Sequence, residues 1–548
     1  MRKKSSDGPL TVQAIAGSYV VMFGINMPKN KTQKLLGFAI QRKDIQENEV
    51  TWMRGMKAFI DTNPMDGLGA NYSSREHPFQ SFQWADYSVK PGRQYTYKII
   101  AMRGSPTQLT ESETVSMSIT TEDEQDGKHA IFFNRGAAAS QEYARRFQNK
   151  RPDEVGEAAF NWLSRGLVES IRDFLEQAKD GTFSIAAALY EFNYADVLEY
   201  LKEAKQRGAK VKVVYHAAED ETKAHSEEAI DEANIKSICE ERANTLNLQH
   251  NKFFVLLKNE KPVQVLTGST NISLNGIFGH SNLAHIVRDT KVAEAYYEYW
   301  KQLKADKSGA EMKDWADEVN TAPPEGDEHP DIFPVFSPHR GLDVLKWYAE
   351  LADSATEGLF MTFPFGINKE FISVYEKEDK VLRMALLDKK GNNDTAKANV
   401  DRVRRLVNCV VAVGNNIRIN SFDRWLKEMR SIISSPRVPY IHTKYMLVDP
   451  LGPHPIVVTG SANFSDNSTH TNDENMLVIR NDKRVADIYL GEFMRLYSHY
   501  AFRESLTFKP NNTVDRSALI PDSSWVNDYY GKSSRSMRRQ YFSGEKDA

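Results

Sequence analysis

The chain repeats two short patterns at one fixed offset. His250-Asn251-Lys252 returns 192 residues later as His442-Thr443-Lys444. Gly268-Ser269-Thr270-Asn271 returns at the same offset as Gly460-Ser461-Ala462-Asn463, so His and Gly are 18 residues apart in both copies. A single His-x-Lys carries almost no information. Two of them, each followed at equal distance by Gly-Ser-x-Asn, imply an internal duplication whose halves each supply half of one site.

The spacing suggests what each residue does. Residues two apart on a strand share a face, so each His and its Lys point the same way. The apolar runs Phe253–Leu256 and Tyr445–Val448 are those strands. Asp449 follows His442 at an odd offset and is expected to face away from the site, bonding a backbone group. Leu257 replaces it in the first copy. Each Gly-Ser-x-Asn follows another apolar run. Its Gly permits a close turn, and Ser269, Ser461, Asn271 and Asn463 are expected to offer donors to an anion. Two imidazoles, two ammoniums and two carboxamides then make a phosphate cradle. Lysines and asparagines neutralise the phosphoryl oxygens, one neutral histidine attacks phosphorus, and the other protonates the departing alkoxide.

These motifs resemble the phospholipase D superfamily, whose pattern reads His-x-Lys, four residues, Asp, then Gly-Ser-x-Asn. The second copy is complete at His442, Lys444, Asp449, Gly460, Ser461 and Asn463, and the first departs at Leu257. The resemblance spans residues 130 to 505. It implies that His250 is the nucleophile and His442 the acid, a choice the symmetric sequence does not make by itself. It also implies a carboxylate that orients an active-site histidine. Glu474, eleven residues after the second Gly-Ser-x-Asn, matches it, and the offset places Asn282 opposite. Which histidine each one contacts stays open.

A metal site is the rival reading of two histidines. The neighbouring Lys252 and Lys444 would repel a divalent cation, and no His/Cys/Asp cluster has ligand spacing. No metal and no cofactor are therefore expected.

Around the motifs, four regions are predicted. Residues 1–125 alternate in strand fashion. Tyr95-Thr-Tyr97 after the Pro91-Gly92 turn, with Trp84 upstream, resembles a fibronectin type III-like β-sandwich. Residues 126–321 and 322–507 are two α/β halves of βαβ type forming an intrachain pseudo-dimer. The acidic run Thr121–Gly127 and the Pro-rich run Ala322–Pro330 are the connecting segments. Phe160, Leu163, Leu167, Ile171 and Phe174 read as one amphipathic helix. Arg402, Arg404 and Arg405 read as the solvated face of a helix whose apolar stripe is Val400, Val403, Leu406 and Val410. Residues 508–548 form a polar tail, expected to be irregular, carrying Arg535, Arg538 and Arg539.

Composition narrows the setting. No run approaches the ~18 apolar residues of a membrane span, and the N-terminus shows no apolar signal-peptide core. Cys239 and Cys409 are the only cysteines, which fits a reducing cytoplasm rather than a disulfide scaffold. The net charge of -3 gives no global attraction to polyanions. The expectation is a metal-independent phosphodiesterase working through a phosphohistidine, with nucleic acid favoured as substrate. Phospholipid is the alternative, as is a non-catalytic phosphate-binding scaffold. The β-domain is a candidate for holding substrate or a protein partner.

Overall fold

The computed structural model describes residues 1–62, 64, 71–136, 143, 146–148, 150–320, 330–391, 393–414, 441–505 and 518–547. Residues 2–120 form two four-stranded antiparallel sheets. One runs in the order Arg2–Asp7, Leu10–Ala16, Val21–Asn26, Gln83–Asp86. The other runs Gln108–Thr120, Gln94–Ser105, Leu35–Asp44, Glu49–Trp52. Alternate residues turn inward, as the two-residue period of a strand requires. Val12 and Phe23 of one sheet meet Tyr97, Ile99 and Met117 of the other in a shared apolar core. The acidic run after this sandwich is a docked segment and not a free linker. Glu122 pairs with Arg484, and Glu124 accepts the Tyr19 hydroxyl at 3.1 Å.

The C-terminal residues do not form the irregular tail predicted for them. Ser523–Tyr529 is a 3₁₀ segment that inserts Trp525 and Val526 into the sandwich core, and the Trp525 indole donates to Leu35 O at 2.8 Å. Helix Ser534–Ser543 packs between the sandwich and the second half. Its Tyr541 ring lies 5.4 Å from Phe360. A Cβ on Gly24 would stand 2.1 Å from the Phe542 backbone, so the strand carries a glycine where this helix crosses. Arg539 is buried and donates to Tyr529 O, so it serves packing and not an external polyanion.

Two seven-stranded mixed sheets carry the duplication. The first runs His129–Phe133, Leu283–Val287, Lys261–Gly268, Lys252–Lys258, Phe183–Leu189, Lys210–His216, Cys239–Arg242. The second runs Ile332–Ser337, Glu474–Arg480, Ile456–Gly460, Tyr445–Val448, Gly358–Phe363, Leu382–Leu387, Cys409–Val413. The order is the same, so the fold is α/β with two equivalent halves. In the first, strand Phe183–Leu189, helix Ala195–Gln206 and the parallel strand Lys210–His216 make the expected βαβ unit, and Gly208 ends the helix at φ 101°. After its last long strand each half sends a helix back across the sheet, Thr290–Lys304 and Lys483–Ser505. Each is capped by an aspartate, Asp289 and Asp482.

Two helical expectations fail for local reasons. The stripe from Phe160 to Phe174 is divided into Glu157–Ser164 and Leu167–Glu176, because Arg165 and Gly166 take left-handed backbone at φ 49° and 87°. The break turns the Arg165 guanidinium inward to Glu492, 2.8 Å away. The helix carrying Arg402 ends at Val403, and Val410 belongs to the next strand. The run 322–329 lies outside the described residues. Among the described residues no helix is long and apolar enough to cross a membrane.

Replacing Trp525 by Ala should destabilise the protein by about 3–5 kcal/mol, since a buried indole is removed and Leu35 O loses its donor. Urea denaturation followed by circular dichroism measures this. An unchanged midpoint would mean that the C-terminal segment is not part of the sandwich core.

Candidate active site

The two halves meet along short parallel bridges. Gln249 pairs with Asp473, and Ser281 pairs with Ile441. The offset of 192 converts each bridge into the other, so the contact is a pseudo-twofold. His250 N donates to Asp473 O at 2.9 Å, and His442 N donates to Ser281 Oγ at 3.3 Å. The histidines therefore sit just before their strands, which begin at Lys252 and Tyr445. Their backbone is held by the opposite half. Beneath this contact the buried Arg242 pairs with the buried Asp473 at 2.9 Å. Removing one partner of such a pair leaves an uncompensated charge.

The side chains cross in the same way. His250 Nδ1 lies 2.9 Å from Glu474 Oε2, and His442 Nδ1 lies 2.8 Å from Asn282 Oδ1. The Asn282 amide is oriented by its Nδ2 donating to Gly276 O at 2.7 Å, and Ser269 Oγ donates to the same Oδ1 at 2.8 Å. Glu474 Oε1 accepts from Asn472. Carboxylate and amide oxygen are acceptors, so both histidines carry their proton on Nδ1 and keep Nε2 for the cleft.

The lysines fold back on their own histidines. Lys252 Nζ donates to His250 O at 2.5 Å and Lys444 Nζ to His442 O at 2.6 Å. Lys252 Nζ also stands 5.0 Å from the Tyr190 ring centroid, and that ring lies 4.8 Å from His250. The glycines permit close approach. A Cβ on Gly268 would stand 2.3 Å from Leu283 O, and one on Gly460 2.2 Å from Asn475 O. The serines depart from expectation. Ser269 and Ser461 are fully buried and spend their hydroxyls inside the protein, Ser269 on Asn282 and Ser461 on the Asn475 backbone. Asn271 and Asn463 do line the cleft, each with a buried Oδ1 that has no hydrogen-bond partner among the described residues. Asp449 faces away from the cleft chemistry. It accepts from the backbone N–H groups of Thr356, Glu357 and Gly358 at 2.7–3.2 Å, while Leu257 is buried on its strand.

The cleft measures about 960 Å³ and holds His250, His442, Asn271 and Asn463. Burial governs its electrostatics. It lowers His250 to about 4 against the opposing pull of Glu474, and it lowers Lys252 to about 7. His442 and Lys444 are pushed well below their ordinary values by burial and then by neighbouring cations. Burial raises Glu474, but His250, Lys252 and the hydrogen bond from Asn472 together outweigh it and leave the carboxyl lowered. The site is thus poised for an anion, which supplies the charge that the buried cations lack.

Residues 171–304 and 387–497 match the family model described as cardiolipin synthase, phospholipase D-like domain. Those two segments, one in each half, make up a phospholipase D-like domain of the phospholipase D superfamily. It is a phosphodiesterase of that superfamily. Comparison with curated proteins gives no match. Solved structures similar to it include the phosphatidylserine synthase of Haemophilus influenzae Rd KW20 (14% identity, 62% of this chain and 85% of that one, TM-score 0.44). They also include the polyphosphate kinase of Porphyromonas gingivalis (12%, 70% and 53%, TM-score 0.39). A third is the phospholipase D family member Nuc of Salmonella typhimurium (19%, 31% and 96%, TM-score 0.23).

Sequence reasoning missed Tyr190, and it missed His280, whose ring lies 5.6 Å from that of His442. Neither belongs to a repeated motif. Arg402 and the C-terminal Arg538 lie outside the described lining of the cleft, Arg402 paired with Glu376 and Arg538 bonded to the Tyr497 hydroxyl. The lysines that do line the cleft are Lys369 and Lys389.

Two outcomes follow from this geometry. Asp449→Asn should cost about 1–3 kcal/mol in denaturant unfolding, with turnover of the folded fraction kept at the wild-type order. A folded variant as slow as a histidine variant would put the carboxylate in the chemistry. Sulfate, which does not titrate here, should bind more tightly as pH falls from 8.5 toward 6.5. Lys252, lowered to about 7, is largely neutral in the empty cleft above that pH and gains a proton when the anion enters. Calorimetry in buffers of different ionisation enthalpy would show net proton uptake, and a pH-independent affinity would contradict it.

Proposed function

We propose that the chain hydrolyses phosphodiesters without a metal, through a phosphohistidine on His250, and that its substrate is nucleic acid. The observation that carries this is the crossed pairing of His250 with Glu474 and His442 with Asn282, which turns both Nε2 atoms to one cleft. His250, held neutral by burial, attacks phosphorus through Nε2. His442, neutral in the empty cleft, takes up a second proton on Nε2 from solvent when the anionic substrate enters. The N–P bond forms as the P–O bond to the leaving group breaks, and the departing oxygen takes that Nε2 proton. Water then attacks the phosphohistidine while His442 accepts its proton, which regenerates both histidines. Glu474 stabilises the positive charge that the His250 ring gains when it is phosphorylated. Asn282 orients His442 without adding charge, so it does not favour the same role there. Lys252, Lys444, Asn271 and Asn463 neutralise and hold the phosphoryl oxygens.

The cleft walls favour nucleic acid over lipid. Tyr190, Leu248 and Phe365 are the only large apolar side chains among its described lining residues, too few for an acyl chain. The strand order of the N-terminal sheets supports a fibronectin type III-like sandwich with one added edge strand, spanning residues 1–125. The unpaired Cys239 and Cys409 support a reducing, cytoplasmic setting.

The deciding experiment screens purified protein on single- and double-stranded DNA, RNA and phosphatidylcholine vesicles in millimolar EDTA. Nucleic-acid cleavage is expected. Headgroup release without any nicking would establish the lipid reading, and activity restored only by added cation would overturn the mechanism. His250→Ala and His442→Ala should each lower the rate by roughly 10³-fold or more, and the double variant should be no worse than the singles. His442→Ala should accumulate an adduct on His250, which intact-mass spectrometry detects. An adduct on His442 in the His250 variant would reverse the assignment.

A further inference from the structure

The cleft is electrically two-sided. On the first-half wall stand the carboxylates Glu191 and Glu221. On the second-half wall stand Lys369 and Lys389 with the single carboxylate Asp466 among the described lining residues, and Phe365 between strand and helix. Phe365 is 40% exposed, and the Lys389 ammonium lies 5.5 Å from its ring centroid. Phe365 follows strand Gly358–Phe363, and Lys389 follows the parallel strand Leu382–Leu387. Both therefore stand in turns just past the ends of two paired strands.

A large exposed ring costs hydration free energy unless a ligand covers it. Here it stands in the cleft of the catalytic histidines, flanked by two cations. One of these, Lys369, is shared with Asp466 at 3.3 Å. Lys389 has no carboxylate at ion-pair distance among the described residues. A flat face edged by ammonium groups matches an unstacked base with a phosphate on either side. It matches an acyl chain poorly, since the ring has no apolar neighbour among the described lining residues of that wall. It excludes an intact duplex, whose bases are stacked on one another and present no free face.

We propose that Phe365, Lys369 and Lys389 form a subsite for single-stranded nucleic acid, with the base on Phe365 and adjoining phosphates on the two lysines. The proposal rests on the nuclease reading and adds strand preference to it. The acidic first-half wall repels a polyanion, so the strand leaves the scissile phosphate over the second half.

The test compares kcat/KM on single-stranded DNA and RNA oligonucleotides with that on bis(p-nitrophenyl) phosphate, for wild type, Phe365→Ala, Phe365→Trp and Lys389→Glu. The oligonucleotide-to-diester ratio should fall roughly tenfold in Phe365→Ala and recover in Phe365→Trp. Loss of Lys389 should also flatten the salt dependence of oligonucleotide binding, by about 0.7 in the log–log slope. Thermal melting confirms that each variant is folded. If wild type cleaves single strands and the ratio stays unchanged in both Phe365→Ala and Lys389→Glu, the subsite is wrong and the nuclease reading stands. Equal cleavage of duplex and single strand by wild type would also overturn the subsite. If wild type cleaves no nucleic acid, the underlying function is wrong.

Discussion

The site depends on one exchange across the pseudo-twofold: each half holds the histidine of the other. His250 is oriented by Glu474 and His442 by Asn282, and the backbone just before each histidine is hydrogen-bonded to the opposite half. Neither half alone can set the position or the tautomer of its own imidazole. The rest of the fold serves this contact. The helices Thr290–Lys304 and Lys483–Ser505 carry tyrosines that reach across the seam, where Tyr296 donates to Asn475 and Tyr489 contacts His285. Helix Ser534–Ser543 then fastens the N-terminal sandwich to the second sheet.

Orientation alone would leave an inert cleft, because burial works against both motif lysines. Lys252 and Lys444 lose their water, and what they gain within the protein is a carbonyl oxygen each and the pull of two carboxylates, Glu191 and Glu474, which does not offset their burial. Glu474 is also committed to His250. Substrate binding therefore completes an electrostatic set that folding leaves short, and the interaction grows stronger as the transition state gathers charge on the phosphoryl oxygens.

Much of this was legible in the sequence because it is local. His-x-Lys and Gly-Ser-x-Asn mark strand ends, and the offset of 192 persists through the following strand, becoming 193 at the helix caps Asp289 and Asp482. Upstream the copies drift, since Phe183 corresponds to Gly358 and Cys239 to Cys409, so the repeat is invisible there to a fixed offset. The α/β class and the βαβ units follow from apolar runs and from a glycine stop at Gly208. Nothing local says that Glu474 reaches His250, because that contact spans the seam between halves. The serine hydroxyls were misread because their acceptors lie 13 and 14 residues away within the same half, just before or on the neighbouring strand. The ordered C-terminus was missed because its Trp525 and Phe542 are isolated in polar sequence and find their partners only in the folded sandwich and second half.

The copies have diverged at Leu257 and Asp449, and the structure explains why this loss is tolerated. In the second half the turn that precedes strand Gly358–Phe363 has three backbone N–H groups needing acceptors, and Asp449 reaches over from the neighbouring strand to take them. Asp449 itself adopts left-handed backbone to do so. In the first half the corresponding turn precedes strand Phe183–Leu189 and is capped from within. Asp180 accepts from Thr182 N at 2.8 Å and from the Thr182 hydroxyl at 2.5 Å. With the cap supplied locally, position 257 is free to become an apolar strand residue opposite Ser184. Capping a turn needs an acceptor from any direction, so that aspartate was replaceable. Orienting an imidazole at one fixed distance across the seam needs an acceptor at one place, and there both copies retain one, as Glu474 and Asn282. Only the charge differs, which leaves the two histidines chemically unequal within a symmetric fold.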